Sequence, residues 1–220
     1  MPDTPLTWEE YTAAWSKLHG GFDPAAASPL VRGWVLTAYT IGSFLGRKRI
    51  GPSAVTTAGL ILCFCVPLAV SLGRWGLLAG AVLVLLAALA DSLDGAVAVI
   101  TGTASRLGFV YDSVADRLGE AAWLLAFWLA GVPGPLVVAA GAVSWLQEYA
   151  RARAATAGMT EIGVVTVAER PTRVLVAIFG LLLGALSGWL AGLAMIVWIA
   201  LAITGLVQLT LAVRQQLGDQ

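Results

Sequence analysis

Residues 76–100 read GLLAGAVLVLLAALADSLDGAVAVI, and this stretch decides the fold. It is a continuous run of apolar and small residues, long enough as a helix to cross the roughly 30 Å hydrocarbon core of a bilayer. Apolar and polar residues do not alternate in it, as they would in a membrane β-strand. Asp91 and Asp94 nevertheless lie near its end. The stretch therefore predicts a transmembrane helix that carries acidic side chains.

The composition of the whole chain agrees with a location in the cell membrane. Of its 220 residues, 59% are hydrophobic and only 12% are charged, and the mean hydropathy is +0.85. Soluble domains carry about 25% charged residues, so a water-soluble enzyme is excluded. The net charge of zero gives no electrostatic basis for binding nucleic acid. We therefore expect an integral membrane protein surrounded by lipids.

Six segments have the length and apolar character of membrane-spanning helices, and turn residues separate them. Gly73, Gly102 and the run Gly131–Pro135 mark three of the turns, since glycine and proline interrupt helices. We expect an all-α integral membrane protein with six transmembrane helices, at about residues 53–72, 76–100, 107–130, 134–156, 172–188 and 190–212.

The first 50 residues differ from the rest of the chain. The run Thr7–Tyr11 is typical of a capped helix start. Residues 28–50 mix apolar with polar side chains and have the basic run Arg47-Lys48-Arg49 near their end. This composition is typical of a helix that lies in the membrane interface. We expect an N-terminal segment with an interfacial amphipathic helix at 1–50, followed by a six-helix transmembrane domain at 51–220.

The basic residues predict the orientation of the helices. If the N-terminus is inside, nine Lys and Arg residues near helix ends lie on the inner side and only Arg74 lies on the outer side. Because cytoplasmic loops carry an excess of Lys and Arg, we expect both termini in the cytoplasm. The nine inner residues are Arg47, Lys48, Arg49, Arg106, Arg151, Arg153, Arg170, Arg173 and Arg214.

Four aspartates lie in two neighbouring apolar segments. Asp91 and Asp94 are three residues apart, and Asp112 and Asp116 are four apart, so each pair shares a helix face. If the turn between the helices brings both faces to the cytosolic end, the four carboxylates converge, and a divalent cation relieves their repulsion. All-oxygen ligation favours Mg²⁺, Mn²⁺ or Ca²⁺, and Mg²⁺ also binds substrate phosphates. The alternative is that these residues cap helix ends at the interface.

This acidic pattern resembles the motif of the CDP-alcohol phosphotransferases, D-x2-D-G-x2-A-R-x8-G-x3-D-x3-D. The chain has Asp91, Asp94, Gly95, Ala98, Gly108, Asp112 and Asp116 at the corresponding spacing. The resemblance implies transfer of a phosphatidyl group from a CDP-linked donor, usually CDP-diacylglycerol, to the hydroxyl of a polar alcohol acceptor, with release of CMP. It also implies that the chain forms a homodimer.

Site roles follow from the same resemblance. Asp91, Asp94, Asp112 and Asp116 would bind Mg²⁺ or Mn²⁺, and Asp116 would also be the catalytic base. Gly95 and Ser105 match positions that contact the donor. Ser53-Ala54-Val55-Thr56, which follow Pro52, resemble a Pro-x-x-x-Thr run that borders the nucleotide. Ordinary helix capping after Pro52 is the alternative for this short run.

One position departs from the motif. Val99 stands where the motif has an arginine that helps to hold the diphosphate of the donor. Either another cation such as Arg106 replaces it, or the donor is handled differently.

Two basic pairs flank the loop between the fourth and fifth segments, Arg151 with Arg153 and Arg170 with Arg173. Arginine binds phosphate in a bidentate manner, so the pairs predict a second phosphate site, suited to a phosphorylated acceptor. Anchoring by cytoplasmic positive charge is the alternative. The runs that contain them resemble those of phosphatidylinositol phosphate synthases, with Arg151 at a lysine position, which implies inositol phosphate as the first candidate acceptor and glycerol phosphate as the second.

Two other functions would explain part of the acidic pattern. A small cation transporter would also carry intramembrane aspartates, although its acids would be spread through the bilayer depth. A divergent scaffold paralogue would have lost donor binding at Val99. Glu120, one turn after Asp116, is expected to pair with a neighbouring group or to face a polar cavity rather than to extend the acidic face. Glu148 is expected to be solvated or to pair with Arg151 or Arg153.

Overall fold

The computed structural model describes residues 6–18, 23–24, 26–159 and 166–217. Within these ranges the chain is all-α, as predicted, and forms eight helices. They are α1 (Trp8–Leu18), α2 (Pro29–Arg47), α3 (Pro52–Val70), α4 (Arg74–Thr101), α5 (Arg106–Leu129), α6 (Gly134–Thr156), α7 (Arg170–Gly184) and α8 (Gly188–Leu217).

The starts of α1 and α2 follow from local sequence. Thr7 and Glu10 form a capping box, in which the Thr7 hydroxyl accepts from the backbone N–H of Glu10 at 3.3 Å and the Glu10 carboxylate accepts from that of Thr7 at 2.8 Å. The Ser28 hydroxyl accepts from the N–H of Val31 at the start of α2, where Pro29 occupies the first turn. The capped helix predicted from Thr7–Tyr11 is thus confirmed.

Helices α3 to α8 lie where the six apolar segments were predicted. By length and composition, three helices of the described part are long and apolar enough to cross a membrane, namely α3, α4 and α8. Helix α7 has 15 residues, fewer than the roughly 20 that a bilayer requires. Helices α5 and α6 carry several charged side chains within their length.

The chain folds into two compact units. The first contains residues 1–62 and 86–118, which include α1, α2 and the parts of α3, α4 and α5 that carry the predicted site. Its apolar core is formed by side chains of α1 to α4, among them Tyr11, Val35 and Val97. Trp8, Tyr11 and Tyr39 form an aromatic group, and the Tyr39 hydroxyl donates to the carbonyl of Leu6 at 2.8 Å.

Helix α2 packs closely on α4 within this first unit. A Cβ atom added at Gly42 would lie 3.1 Å from the Cβ of Ala96, so the small residue permits the approach of the two helices. Trp34 Nε1 donates to the Ser92 hydroxyl at 2.9 Å, which fixes α2 beside the Asp91–Asp94 turn of α4.

The second unit contains residues 63–85 and 119–220. Helices α6 and α7 both pack against α8. A Cβ atom at Gly180 of α7 would lie 2.7 Å from the ring of Phe127 and 2.8 Å from the Cβ of Ala194, so α7 requires glycine at this position. Trp198 of α8 is buried and donates to the Ser144 hydroxyl of α6 at 2.9 Å.

Large apolar side chains are exposed along α3, α4 and α8, the helices of the described part that are both long and apolar enough to span a bilayer. Leu68 of α3 is 69% exposed, Leu85 of α4 is 45% exposed and Ile203 of α8 is 49% exposed. Apolar surface of this kind is placed favourably in lipid, where helix packing relies on small residues and polar contacts instead.

Candidate active site

Three of the four predicted metal ligands come together in the first unit. Asp91 of α4 and Asp112 and Asp116 of α5 each offer a carboxylate oxygen, and these oxygens lie within 4.8 Å of one another. All three side chains are partly buried. Three carboxylates this close repel one another strongly unless a cation lies among them. The oxygen-only donor set suits a hard divalent ion such as Mg²⁺ or Mn²⁺.

Asp94 is not part of this group of three and is held differently. Its side chain is only 7% exposed, and Oδ2 accepts a hydrogen bond from the hydroxyl of Thr56 at 2.6 Å. The same Thr56 oxygen lies 3.1 Å from the carbonyl oxygen of Pro52, at the start of α3. A buried carboxylate requires such a donor, and α3 therefore sets the position of Asp94.

A cavity of about 450 Å³ lies beside these acids, within the first unit. Asp94 and Asp112 both contribute to its wall, together with Gly95. This volume is in the range of sites for drug-sized ligands and cofactors. Hydroxyl groups supply most of the remaining polar lining, from Ser53, Thr56, Thr101, Thr103 and Ser105.

The predicted donor-binding residues divide between this cavity and the core. Gly95 and Ser105 line the cavity, and no atom within 4 Å would meet a Cβ at Gly95. Ser53 and Thr56 also line it, whereas Ala54 and Val55 are not among the lining residues. Val55 is 7% exposed and packs in the apolar core. Of the run 53–56, helical spacing thus directs only the first and last residues to the cavity.

The turn between α4 and α5 forms one edge of the cavity. Gly102 has a φ of +64°, which glycine adopts without strain, and the hydroxyls of Thr101 and Thr103 lie 2.7 Å apart. Ser105 then caps α5, since its hydroxyl accepts from the backbone N–H of Gly108 at 3.0 Å. Ser105 is therefore both a helix cap and a cavity residue.

The basic cluster lies in the second unit and forms ion pairs. Arg173 of α7 is 3% exposed, and its guanidinium lies 2.8 Å from Glu120 of α5 and 2.7 Å from Glu148 of α6. Arg151 of α6 pairs with Glu169 and lies 4.0 Å from Glu148. The predicted pairing of Glu120 with a neighbour is confirmed, whereas the near partner of Glu148 is Arg173, which the sequence did not indicate. Buried charges of this kind require partners, so these pairs hold α5, α6 and α7 together.

The other two predicted acceptor residues differ in exposure. Arg153 is exposed on α6, and Arg170 is partly buried at the first position of α7. The preceding Glu169 accepts hydrogen bonds from both the backbone N–H and the hydroxyl of Thr166, at 2.9 and 2.8 Å. Glu169 thereby positions the start of α7 as well as Arg151.

The CDP-alcohol phosphatidyltransferase family model matches residues 49–206. The chain belongs to this family. It is therefore a membrane-bound phosphotransferase, and the resemblance drawn from the aspartate spacing is confirmed.

Curated phosphatidyltransferases extend the comparison. The chain is 34% identical over 186 residues to the phosphatidylinositol phosphate synthase of Mycolicibacterium smegmatis, covering 78% of this chain and 81% of that protein. It is 31% identical over 160 residues to the archaetidylinositol phosphate synthase of Pyrococcus horikoshii, covering 72% and 84%.

Solved structures of a phosphatidyltransferase are similar as well. The phosphatidylinositol phosphate synthase of Mycobacterium tuberculosis, with CDP-DAG bound, superposes with a TM-score of 0.68 at 26% identity, covering 80% of this chain and 93% of that chain. The same protein has also been solved in complex with manganese and citrate, again with a TM-score of 0.68 and 26% identity, and there the match covers 80% of this chain and 88% of that one.

Position 99 remains a departure from the motif of the phosphatidyltransferases. Val99 packs against the apolar cluster of the first unit and is not among the residues that line the cavity, and neither is Arg106. Lining residues that sequence reasoning did not assign to the site include Arg49, Thr103 and Phe109. The sequence places Arg49 only in the basic run at the end of an interfacial helix. A charge near a helix end does not show whether that residue contributes to a cavity.

Proposed function

We propose that this phosphatidyltransferase transfers the phosphatidyl group of CDP-diacylglycerol to a hydroxyl of a phosphorylated polyol and releases CMP. Inositol phosphate is the first candidate acceptor and glycerol phosphate the second. The observation that carries the proposal is the position of the carboxylates of Asp91, Asp112 and Asp116, within 4.8 Å of one another, with Asp112 also lining a cavity large enough for a nucleotide.

Asp91, Asp112 and Asp116 would hold the Mg²⁺ or Mn²⁺ cofactor, with Asp94 as a fourth candidate ligand. Their spacing supports this role, because three carboxylate oxygens at this separation are stable together only around positive charge. When bound, the metal would neutralise the diphosphate of the donor and stabilise the departing CMP. Thr56 would keep the Asp94 carboxylate in place through its 2.6 Å hydrogen bond.

The cavity would receive the CDP part of the donor. Gly95 would allow close approach of the nucleotide, because nothing lies within 4 Å of the space that a side chain would take. Ser53, Thr56 and Ser105 offer hydroxyl groups along the wall. Ala54 and Val55 would support this wall from α3 rather than contact the donor.

The reaction would be a single displacement at phosphorus. The acceptor hydroxyl oxygen forms a bond to the phosphorus next to the lipid, the bond from that phosphorus to the CMP oxygen breaks, and CMP takes the electron pair. Asp116 would accept the proton that the hydroxyl loses, as general base. Positioning and electrostatics would supply most of the acceleration.

The arginines of the second unit would bind the phosphate of the acceptor. Arg153 is exposed, whereas Arg170 is partly buried. Arg151 and Arg173 already pair with glutamates, and they would act by orienting this region or by exchanging a glutamate for phosphate. The similarity to a phosphatidylinositol phosphate synthase and an archaetidylinositol phosphate synthase supports a phosphorylated polyol.

The charge distribution of the sequence and the family motif lead to a proposal on topology and assembly. We propose that α3 to α8 form six spans in the cell membrane with both termini in the cytoplasm, that residues 1–50 lie at the interface ahead of a catalytic domain at 51–220, and that the protein is a homodimer. Charged side chains on α5 and α6 would then face the protein interior.

An acceptor panel tests the proposal. Protein reconstituted in liposomes with Mg²⁺ and CDP-diacylglycerol receives inositol phosphate, glycerol phosphate, inositol or glycerol, while CMP release and the lipid product are measured. CMP release with a phosphorylated polyol, and little with the two unphosphorylated ones, is expected. Absence of CMP release with every acceptor would contradict the proposal, and a preference for free inositol would contradict the assignment of the acceptor.

A further inference from the structure

Arg49 follows the end of α2 in a backbone conformation that its residue type does not favour. The backbone N–H of Ile50 donates to the carbonyl of Leu45 at 3.0 Å, and that of Arg49 donates to Gly46 at 2.9 Å. These two bonds are those of a Schellman motif. In such a motif the residue at position 49 takes the left-handed conformation, and Arg49 indeed has a φ of +58°.

Glycine is the usual residue at this position, because a Cβ atom is strained at positive φ. Among the described residues, Arg49 is the sole non-glycine residue with positive φ. The geometry of the turn therefore does not account for an arginine at position 49. A function of the arginine side chain would account for it.

Arg49 is one of the residues that line the cavity of the candidate active site. No other Lys or Arg is among the described residues that form its wall, whereas Asp94 and Asp112 are both present there. In the described part of the chain, no carboxylate pairs with the Arg49 guanidinium. In this it differs from Arg151 and Arg173, which are held by glutamates.

We propose that Arg49 binds the diphosphate of the CDP-linked donor. This inference rests on the proposed function. A diphosphate brings at least two negative charges into a cavity whose wall already holds two aspartates. A guanidinium presents several N–H donors in a planar fork that matches phosphate oxygens, and the turn between α2 and α3 holds this fork at the edge of the cavity.

Four variants test the assignment. Arg49→Gly and Arg49→Asn both remove the charge, and both residue types tolerate a positive φ. Arg49→Lys keeps the charge but loses the fork. Arg32→Gln is the matched control, because Arg32 is an exposed arginine of α2 that does not line the cavity. Dissociation constants for CDP and CMP are measured calorimetrically with Mg²⁺ present, together with the melting temperature.

The charge-removing variants should bind CDP about tenfold or more weakly and lose less affinity for CMP, which has a single phosphate. Arg49→Lys should be intermediate and Arg32→Gln unchanged. Arg49→Gly should melt at the same or a higher temperature, since it relieves the strained φ.

The outcomes separate the two proposals. If the wild-type protein binds CDP and the Gly and Asn variants bind it equally well, or lose CDP and CMP affinity to the same extent, the role of Arg49 is overturned. If the wild-type protein does not bind CDP at all, the proposed function itself fails and the role of Arg49 fails with it.

Discussion

The hydroxyl of Thr56 donates to the buried carboxylate of Asp94 at 2.6 Å, and this bond joins α3 to the aspartate helix α4. Asp94 lies outside the group of three carboxylates formed by Asp91, Asp112 and Asp116, yet it lines the same cavity as Asp112. The orientation of Asp94 in the active site thus depends on a residue of a different helix.

Replacing Thr56 by valine should lower the rate of CMP release by about 10- to 100-fold, which is the usual effect of removing a hydrogen bond that orients a metal-site carboxylate. Valine has the same shape, so the helix should persist. Thr57→Val is the control, because the Thr57 hydroxyl also forms an interhelical bond, with Tyr111 at 2.8 Å, but not with a carboxylate. Equal losses in the two variants would mean that Thr56 acts only through helix packing.

The pair of Glu120 and Arg173 should stabilise the second unit. Both side chains are almost completely buried, and breaking a buried pair costs about 3–5 kcal/mol because one charge is left without its partner. We expect Glu120→Leu and Arg173→Met each to lower the melting temperature in detergent, and the double variant to recover part of the loss. Arg214→Met, at an exposed position of α8, should have little effect. A fully additive double variant would argue against a direct pairing.

Acceptor binding should depend on Arg153 and Arg170. Arg153→Ala and Arg170→Ala are expected to raise the KM for the phosphorylated polyol about tenfold or more while changing the KM for CDP-diacylglycerol much less, because each contributes a charge-assisted contact to phosphate. Steady-state CMP release with each substrate varied in turn measures both constants. Equal effects on the two KM values would remove these residues from an acceptor site.

Much of the helical framework could be predicted from local sequence. The Thr7–Glu10 capping box, the glycine at position 102 and the apolar runs each act over a few residues, and the helices begin and end close to the predicted positions. The convergence of Asp91 with Asp112 and Asp116 was also predictable, since three- and four-residue spacings place side chains on one helix face.

Contacts between distant segments could not be predicted in the same way. Asp94 shares a helix face with Asp91. The sequence does not show that the Asp94 carboxylate accepts a hydrogen bond from Thr56, which is 38 residues away. Likewise, the sequence indicates Arg173 as a phosphate ligand and does not reveal its ion pairs with Glu120 and Glu148, because these two glutamates lie on other helices. The number of spans is a further example, since α5 and α6 combine membrane length with charges whose burial depends on neighbouring helices.

Metal binding by the three aspartates is the central claim, and manganese titration of chelator-stripped protein tests it most directly. Electron paramagnetic resonance measures bound Mn²⁺ in the wild type and in Asp91→Asn, Asp112→Asn and Asp116→Asn, with Glu9→Gln of the exposed face of α1 as control, and CMP release is followed in the same samples. We predict that the wild type and the control bind Mn²⁺ and regain activity with Mn²⁺ or Mg²⁺, whereas each aspartate variant binds Mn²⁺ about tenfold or more weakly and releases almost no CMP while remaining folded. Aspartate variants that bind Mn²⁺ and release CMP as the wild type does would contradict the account.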